Sequence, residues 1–191
     1  MTLDEVLNLW IPYRLQALET LQFAWRWIGE SETPRRVEVF EEGCLRLRGN
    51  VAAIANPMIE VGVIHARALL EFLGLCATNG KLAQIKKRRR DDIAVEHFST
   101  PAVPLSIVTP RDAISTYQGP NDEAESALVA IFEIANKGLA HLTTEALSAE
   151  YTDHHLDIAC RGIPALLHNH LYAKLCMQIP SPPSAIPQDG G

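Results

Sequence analysis

The chain has 191 residues, of which 47% are hydrophobic and 21% charged, and its net charge is −6 at pH 7. This length suits one domain with a sizeable core, and the composition is ordinary for a soluble globular protein. The negative charge excludes a global positive field that would recruit nucleic acid or anionic membrane, but not a local basic patch. The four cysteines form no CxxC pair and lie in apolar stretches, which favours a reducing cytosol over a disulfide scaffold.

The composition of the two termini sets the expected domain limits. The first residues, MTLDEVLNLW, carry acids where an export signal needs positive charge, so we expect a cytoplasmic protein. The last residues, PSPPSAIPQDGG, are rich in proline and glycine. We therefore expect residues 1–179 to form a single helical domain and residues 180–191 to form a disordered tail.

Helical periodicity is visible from the N-terminus onward. Residues 3–11 form a short apolar segment, and Pro12 suits the first turn of a second helix. From there apolar residues recur at helical spacing until Gly29, where the helix is expected to end. These residues are Leu15, Leu18, Leu21, Trp25 and Ile28.

The stretch 36–48 has two interpretations. RVEVF and CLRLR each alternate apolar and polar residues, and a turn at 41–43 lies between them, which favours a small β-hairpin. Thr33 and Pro34 instead resemble a helix cap with a first-turn proline, which would begin a continuous helix. A hairpin needs a surface to pack on, and the helix that follows is the natural platform.

The stretch from Pro57 to Ala77, PMIEVGVIHARALLEFLGLCA, is the helix around which the rest of the chain is expected to pack. Its apolar residues cover almost the whole circumference of a helical projection, which is typical of a helix in the middle of a bundle. We therefore predict a buried central helix at 57–77. The segment is long enough to cross a membrane, but the charges within it argue against spanning, and no membrane association is expected.

One narrow stripe of charges interrupts this helix. Glu60, Arg67 and Glu71 fall within about 40° of one another on the projection. The stripe is either an ion-paired contact with a neighbouring helix, in which Arg67 pairs with Glu71, or the lining of a functional site such as a small-ligand pocket. His65 points into the apolar face, where a hydrogen-bonded core histidine is expected.

Residues 81–110 are the least regular part of the sequence, and prolines exclude a long helix there. A cap-and-proline signature at Thr109 and Pro110 then begins a short helix. The region also contains five consecutive basic residues, which suit either a solvated surface or a patch that contacts RNA phosphates. These are Lys86, Lys87, Arg88, Arg89 and Arg90.

Two longer helices are expected in the C-terminal half. One is capped at Asn121 and runs to about residue 143, and the other spans 151–178 with a bend at Pro164. The expected fold is therefore mainly α, a bundle of about five helices around the central helix, with a small β-hairpin favoured over a helix at 36–48.

The end of the first of these helices, ANKGLAHLTTE, contains a candidate catalytic group. His141 projects to the edge of the apolar stripe, and Lys137 lies one turn before it on the same side. A lysine at that distance disfavours the imidazolium form, which suits a general base. The alternative is a histidine that only bonds a backbone carbonyl.

Metal-binding patterns are weak in this sequence. Acidic and histidine side chains cluster at 153–157, but without the spacing that places two ligands on one helical face. His168 and His170 diverge by about 200° on a helix, so they cannot share a metal there. No metal and no cofactor are therefore expected.

Two segments carry a family resemblance, HARALLEFLG at 65–74 and NKGLAHLT at 136–143, with RRRDDIAVEHF at 88–98 between them. They resemble a group of uncharacterised bacterial helical proteins and are similar in style to the HEPN superfamily of helical bundles. That resemblance implies RNA cleavage, toxin–antitoxin or defence roles and nucleotide-binding partners. The superfamily signature is an arginine, then a polar residue, then a histidine on one helix. Here Asn136 stands in place of the arginine, and His141 keeps its position.

Two functions follow as hypotheses. In the first, His141 is the general acid or base of a metal-independent endoribonuclease-like site, and Arg67 and Lys137 stabilise the charged transition state. Glu71 belongs to the same candidate site, and the basic run holds the RNA. In the second, the chain is a non-catalytic interaction module, as a homodimer or bound to another protein, and its polar residues are structural pairs. A shared site requires His141 within hydrogen-bond reach of its partners.

Overall fold

The computed structural model describes residues 1–29, 35–139 and 153–180, with the backbone alone at 137–139. The fold is mainly helical, as the sequence predicts. Some helices continue into π-helical segments, and short connections complete the chain. The α-helices are α1 (Leu3–Glu5), α2 (Ile11–Gly29), α3 (Val51–Phe72), α4 (Pro110–Ser115), α5 (Asn121–Glu133) and α6 (Asp153–Leu167). The π-helical segments are Val6–Trp10, Ile134–Leu139 and His168–Tyr172, and Val95–Phe98 forms a 3₁₀ turn.

The predicted hairpin is confirmed. β1 (Arg36–Glu41) pairs in antiparallel fashion with β2 (Cys44–Asn50). The chain reverses at Glu42 and Gly43, whose φ angles of 51° and 79° lie in the left-handed region that glycine adopts at little cost. Most side chains of the hairpin are exposed, and Val37 at its base packs against the helices. The hairpin therefore projects from the helices rather than lying flat on α3.

The predicted central helix at 57–77 is wrong at its C-terminal end. The chain leaves the helix at Gly74, which has a φ of 96°. β3 (Leu75–Thr78) follows and pairs in antiparallel fashion with β4 (Lys81–Gln84). The short apolar run after Phe72 suits a helix or a buried strand equally well, so periodicity does not reveal this second hairpin.

The N-terminal end of the predicted helix is also wrong, because α3 begins at Val51 and not at Pro57. Asn50 caps the helix, and its Oδ1 accepts a hydrogen bond from the Ala52 amide at 3.0 Å. Pro57 lies in the helix interior on the exposed side, where it removes one intrahelical hydrogen-bond donor. A strong cap upstream thus outweighs the local preference of proline for a helix start.

α2 and α3 pack side by side in opposite directions, and a glycine allows a close approach. A Cβ atom at Gly62 would lie 2.4 Å from the Leu21 Cβ and 2.8 Å from the Ala17 carbonyl oxygen. Ala24 and Ala55 extend the contact toward the hairpin with fully buried, small side chains. The spacing of the two helices therefore depends on the absence of a side chain at Gly62.

The main core lies beneath the C-terminal half of α3. It combines apolar side chains of α2, α3, α5 and α6, with Leu70, Ile131 and Ile163 fully buried. Tyr172 is also fully buried, and its hydroxyl donates to the Leu7 carbonyl oxygen at 2.6 Å. This bond ties the last π-helical segment, His168–Tyr172, to the first, Val6–Trp10.

The predicted burial of α3 on all sides is not confirmed. One face packs against α2 and the core, but on the opposite face Val61 and Ile64 are 47% and 50% exposed. A projection counts apolar residues without showing which of them have a neighbour. α3 is also the one helix in the described ranges that is long and apolar enough to cross a membrane by length and composition. Residues 181–191, in which the tail is expected, lie outside the described residues.

The expected C-terminal helices differ in their geometry from the prediction. α4 begins after Thr109, whose Oγ1 accepts from the Asp112 amide at 3.1 Å, as the cap signature predicts. α5 becomes π-helical at Ile134 instead of continuing as an α-helix. α6 contains Pro164 and becomes π-helical at His168. Angles taken from an α-helical projection therefore fail beyond those residues, because a π-helix bonds i to i+5.

We expect Gly62→Ala to lower the free energy of unfolding by about 1–3 kcal/mol, because the added methyl group would force α2 and α3 apart. Urea denaturation measures this change. Gly162→Ala in α6 is the matched control, since a Cβ there meets nothing within 4 Å. It should leave stability unchanged or raise it by up to about 1 kcal/mol. Equal losses in both variants would contradict the close contact at Gly62.

Candidate functional site

Arg67 joins α3 to the π-helical segment that follows α5. Its Nε donates to Oε1 of Glu71 at 2.8 Å, and its Nη1 donates to Oδ1 of Asn136 at 2.5 Å. The side chains of Arg67 and Glu71 are 35% and 39% exposed, and they have the i,i+4 spacing of a helical ion pair. The structure thus brings Arg67, Glu71 and Asn136 together at the surface, at a π-helical segment of the kind that often marks functional sites.

The other predicted members of this site lie apart from that cluster or outside the residues that the structure describes. Glu60 is exposed on the same side of α3, and it pairs with no charged group in the described residues. Lys137 belongs to the segment Ile134–Leu139, but its side chain lies outside the described atoms. His141 lies outside the described residues. Its proximity to Arg67 therefore stays a prediction.

The predicted basic run contains one residue with an internal role. Arg88 is 17% exposed, its Nη1 donates to the Glu71 carbonyl oxygen at 2.9 Å, and its Nε lies 3.4 Å from Oε1 of Glu96. Among the residues that the structure describes, Nη2 of Arg88 and Oε2 of Glu96 are buried without a hydrogen-bond partner. A phosphate-binding patch would therefore consist of the exposed members of the run, which are Lys86, Lys87, Arg89 and Arg90.

A second arginine contact, between Arg14 and His65, is not predicted from the sequence. Nη1 of Arg14 lies 2.8 Å from Nδ1 of His65, and the Tyr13 ring meets the imidazole edge to face at 5.2 Å between centroids. Burial, followed by the Arg14 guanidinium, lowers the pKa of His65. The imidazole is therefore neutral, accepts the arginine hydrogen bond at Nδ1 and keeps its proton on Nε2.

The sequence predicts a core histidine at position 65, but His65 is half-buried at the edge of the α2–α3 contact. Its arginine partner lies 51 residues away in the chain. No motif connects the two residues, and only the antiparallel packing of α2 on α3 brings them together. Sequence spacing therefore offers no signal for this pair.

Among the residues that the structure describes, no three His, Cys, Asp or Glu side chains form a group that would hold a metal ion. His154 instead lies 3.4 Å from a carboxylate oxygen of Glu123. Burial raises the pKa of Cys160 to about 12, so this thiol is protonated and unreactive as a nucleophile.

The Arg67 cluster combines a guanidinium with one carboxylate, that of Glu71. A guanidinium stays protonated in proteins, so Arg67 can bind an anion or stabilise negative charge without acting as an acid or a base. Acid–base chemistry at this place would therefore need the Glu71 carboxylate or His141. The Arg67–Asn136 contact also links α3 to the π-helical segment after α5.

Comparisons of the chain with protein-family models, with curated proteins and with solved structures give no significant match. The resemblance to the HEPN superfamily therefore stays an expectation from the sequence.

We expect Arg88→Ala to lower the free energy of unfolding by about 2 kcal/mol, because it leaves Glu96 partly buried without its counter-charge. Urea denaturation measures the loss. Arg90→Ala is the matched control, since this side chain is exposed, and its effect should stay within about 0.5 kcal/mol. A loss as large for Arg90→Ala would contradict the structural role assigned to Arg88 alone.

Proposed function

We propose that this protein is a helical interaction module without catalytic activity, and that it binds a protein partner through one side of α3. We name this surface the α3 face. Its apolar residues are Ile54, Pro57, Val61, Ile64 and Ala68.

The exposure of Val61 and Ile64, at 47% and 50%, is the observation that carries this proposal. Single exposed apolar residues are normal on a protein surface. Here two large β-branched side chains are exposed next to each other in the middle of a 22-residue helix, with exposed Pro57 one turn before them. A contiguous apolar surface of this kind typically marks a contact site.

Aromatic side chains continue the α3 face onto the N-terminal helical segments. Tyr13 and Trp10 are both exposed, and their rings meet edge to face at 6.2 Å. Tyr13 in turn packs on His65 of α3. Tyrosine and tryptophan are enriched in protein interfaces, where they bury large areas at low entropic cost. Their position beside the α3 face supports a binding role for the whole surface.

The polar groups near α3 also support an interaction role. Arg67 is bound to Glu71 and Asn136, and Arg88 is bound to Glu96 and the end of α3. The bonds from Arg67 to Asn136 and from Arg88 to the Glu71 carbonyl oxygen hold α3 against neighbouring segments. Such pairs stiffen the helix that presents the α3 face, and they need no substrate to explain them.

We expect Ile64→Lys to weaken partner binding at least tenfold, about 1.4 kcal/mol, because it places a charge in an apolar contact. Sedimentation velocity measures self-association, and photo-crosslinking from position 64 in cells detects other partners. Glu19→Lys, on the exposed side of α2, is the matched control and should leave binding unchanged. A chain that neither self-associates nor gives a specific adduct from position 64 would contradict the proposal.

Metal-independent RNA cleavage is a second candidate function, favoured by the contact between Arg67 and Asn136. Asn136 occupies the place at which the HEPN-like segment lacks its arginine, and the Arg67 guanidinium lies 2.5 Å from it. In this alternative, His141 acts as general acid or base, while Arg67 and Lys137 stabilise the charged transition state. The exposed members of the basic run would hold the RNA backbone.

RNA cleavage measured in the presence of a metal chelator tests this candidate. If the site is real, His141→Ala should lower the cleavage rate by about 10²-fold or more, because it removes the proton-transfer group. His168→Ala is the matched control, since His168 is an exposed histidine on a different segment, and it should cleave like the wild type. Equal rates for the wild type and His141→Ala would eliminate this function.

A further inference from the structure

We infer that the partner bound at the α3 face is a second copy of this chain, and that the two copies of α3 cross in antiparallel directions about a two-fold axis. This inference rests on the proposed function, because it names the partner for the same surface. It adds the identity of the partner, the orientation of the two helices and the ion pairs between them.

The residues of the α3 face have the spacing of a coiled-coil contact. They follow one another at alternating intervals of three and four residues along an exposed or half-buried line. This spacing keeps the residues on one narrow stripe that fits a second helix of the same kind. The stripe extends for about 21 Å along the axis, at 1.5 Å per residue.

The charges beside the α3 face are self-complementary in an antiparallel pair. Glu60 and Arg67 lie on the same edge, seven residues apart. When Val61 of one copy packs opposite Ile64 of the other, Glu60 of each copy faces Arg67 of the other. Two-fold symmetry makes this ion pair twice. A parallel arrangement would place Glu60 opposite His65 instead, and the carboxylate–guanidinium pairs would be lost.

Glu60 and Arg67 are both accessible for such a contact before the two copies associate. Glu60 is exposed and has no charged partner in the described part of the chain. Arg67 is held by Glu71 and Asn136 while its side chain stays 35% exposed. Because these bonds orient the guanidinium before association, less side-chain entropy is lost when the second copy binds.

The opposite edge of the α3 face widens the contact. Met58 and His65 lie there, and His65 carries the packed ring of Tyr13 with Trp10 beyond it. In the antiparallel pair Met58 of one copy faces His65 of the other and reaches this aromatic cluster. Thioether–aromatic contacts are favourable, and the added area moves the interface toward the ~800 Å² per partner of stable complexes.

Charge reversal tests the inferred ion pairs. Glu60→Lys places lysine opposite arginine in a homodimer, and Arg67→Glu places glutamate opposite glutamate. Each variant alone should self-associate at least tenfold more weakly than the wild type in sedimentation velocity at low salt. An equimolar mixture of the two should regain dimer formation, because both pairs are then between opposite charges. Recovery in the mixture also shows that each variant is folded.

Cysteine crosslinking tests the orientation independently. Val61→Cys and Ile64→Cys are placed on separate chains, and linked peptides are identified by mass spectrometry, which separates them from links through the native cysteines. The antiparallel pair predicts that the mixture forms the link between positions 61 and 64 more readily than either variant links to itself. Self-links in each variant alone, with no gain in the mixture, would overturn the antiparallel arrangement.

A wild-type chain that stays monomeric at about 100 μM would overturn the homodimer, since even a dimer with a Kd near 1 μM forms at that concentration. If position 64 then gives a specific adduct with another protein, the protein-binding function stands, and the partner is that protein and not a second copy of the chain. Binding of the wild type, but not of Ile64→Lys, to lipid vesicles would instead overturn both the homodimer and the protein-binding role.

Discussion

The close packing of α3 on α2 is the contact on which the rest of the structure depends. Gly62 lets the two backbones approach, and the same approach brings Arg14 to His65. The main core then covers the C-terminal half of α3 from the same side. Because the support comes from one side, the face that carries Val61 and Ile64 is left exposed. The candidate binding surface is therefore a direct consequence of how α3 is held.

Glu71 is the point at which three parts of the chain meet. Its carboxylate pairs with Arg67, which also reaches Asn136, and its carbonyl oxygen accepts from Arg88 of the basic run. These bonds link the end of α3 to the π-helical segment after α5 and, through Arg88, to the 3₁₀ turn that contains Glu96. Arg67 and Glu71 of the predicted charged stripe thus connect α3 to two neighbouring segments, and these bonds hold Arg67 beside the α3 face.

Predictions from the sequence succeed where neighbouring residues decide the structure. The hairpin at 36–48 follows from alternation and a turn, and α4 follows from the cap at Thr109. One local signal was overlooked, since Asn79 and Gly80, with φ angles of 53° and 70°, form the two-residue turn that joins the strands Leu75–Thr78 and Lys81–Gln84. Predictions fail where distant contacts decide, as for the pair of Arg14 and His65. The π-helical turn at Ile134 has no sequence signature, so angles projected from an α-helix do not apply to Asn136.

The sequence by itself determined that the fold is mainly helical and that a long apolar helix carries Glu60, Arg67 and Glu71 on one edge, since periodicity and spacing are local properties. Only the tertiary structure decided which side of that helix is buried. Apolar residues on every side of a helix do not indicate which side is buried. In this protein the contact of Gly62 with α2 sets the buried side. The pairing of Arg67 with Asn136 also depends on the tertiary structure, because the two residues lie 69 positions apart in the chain.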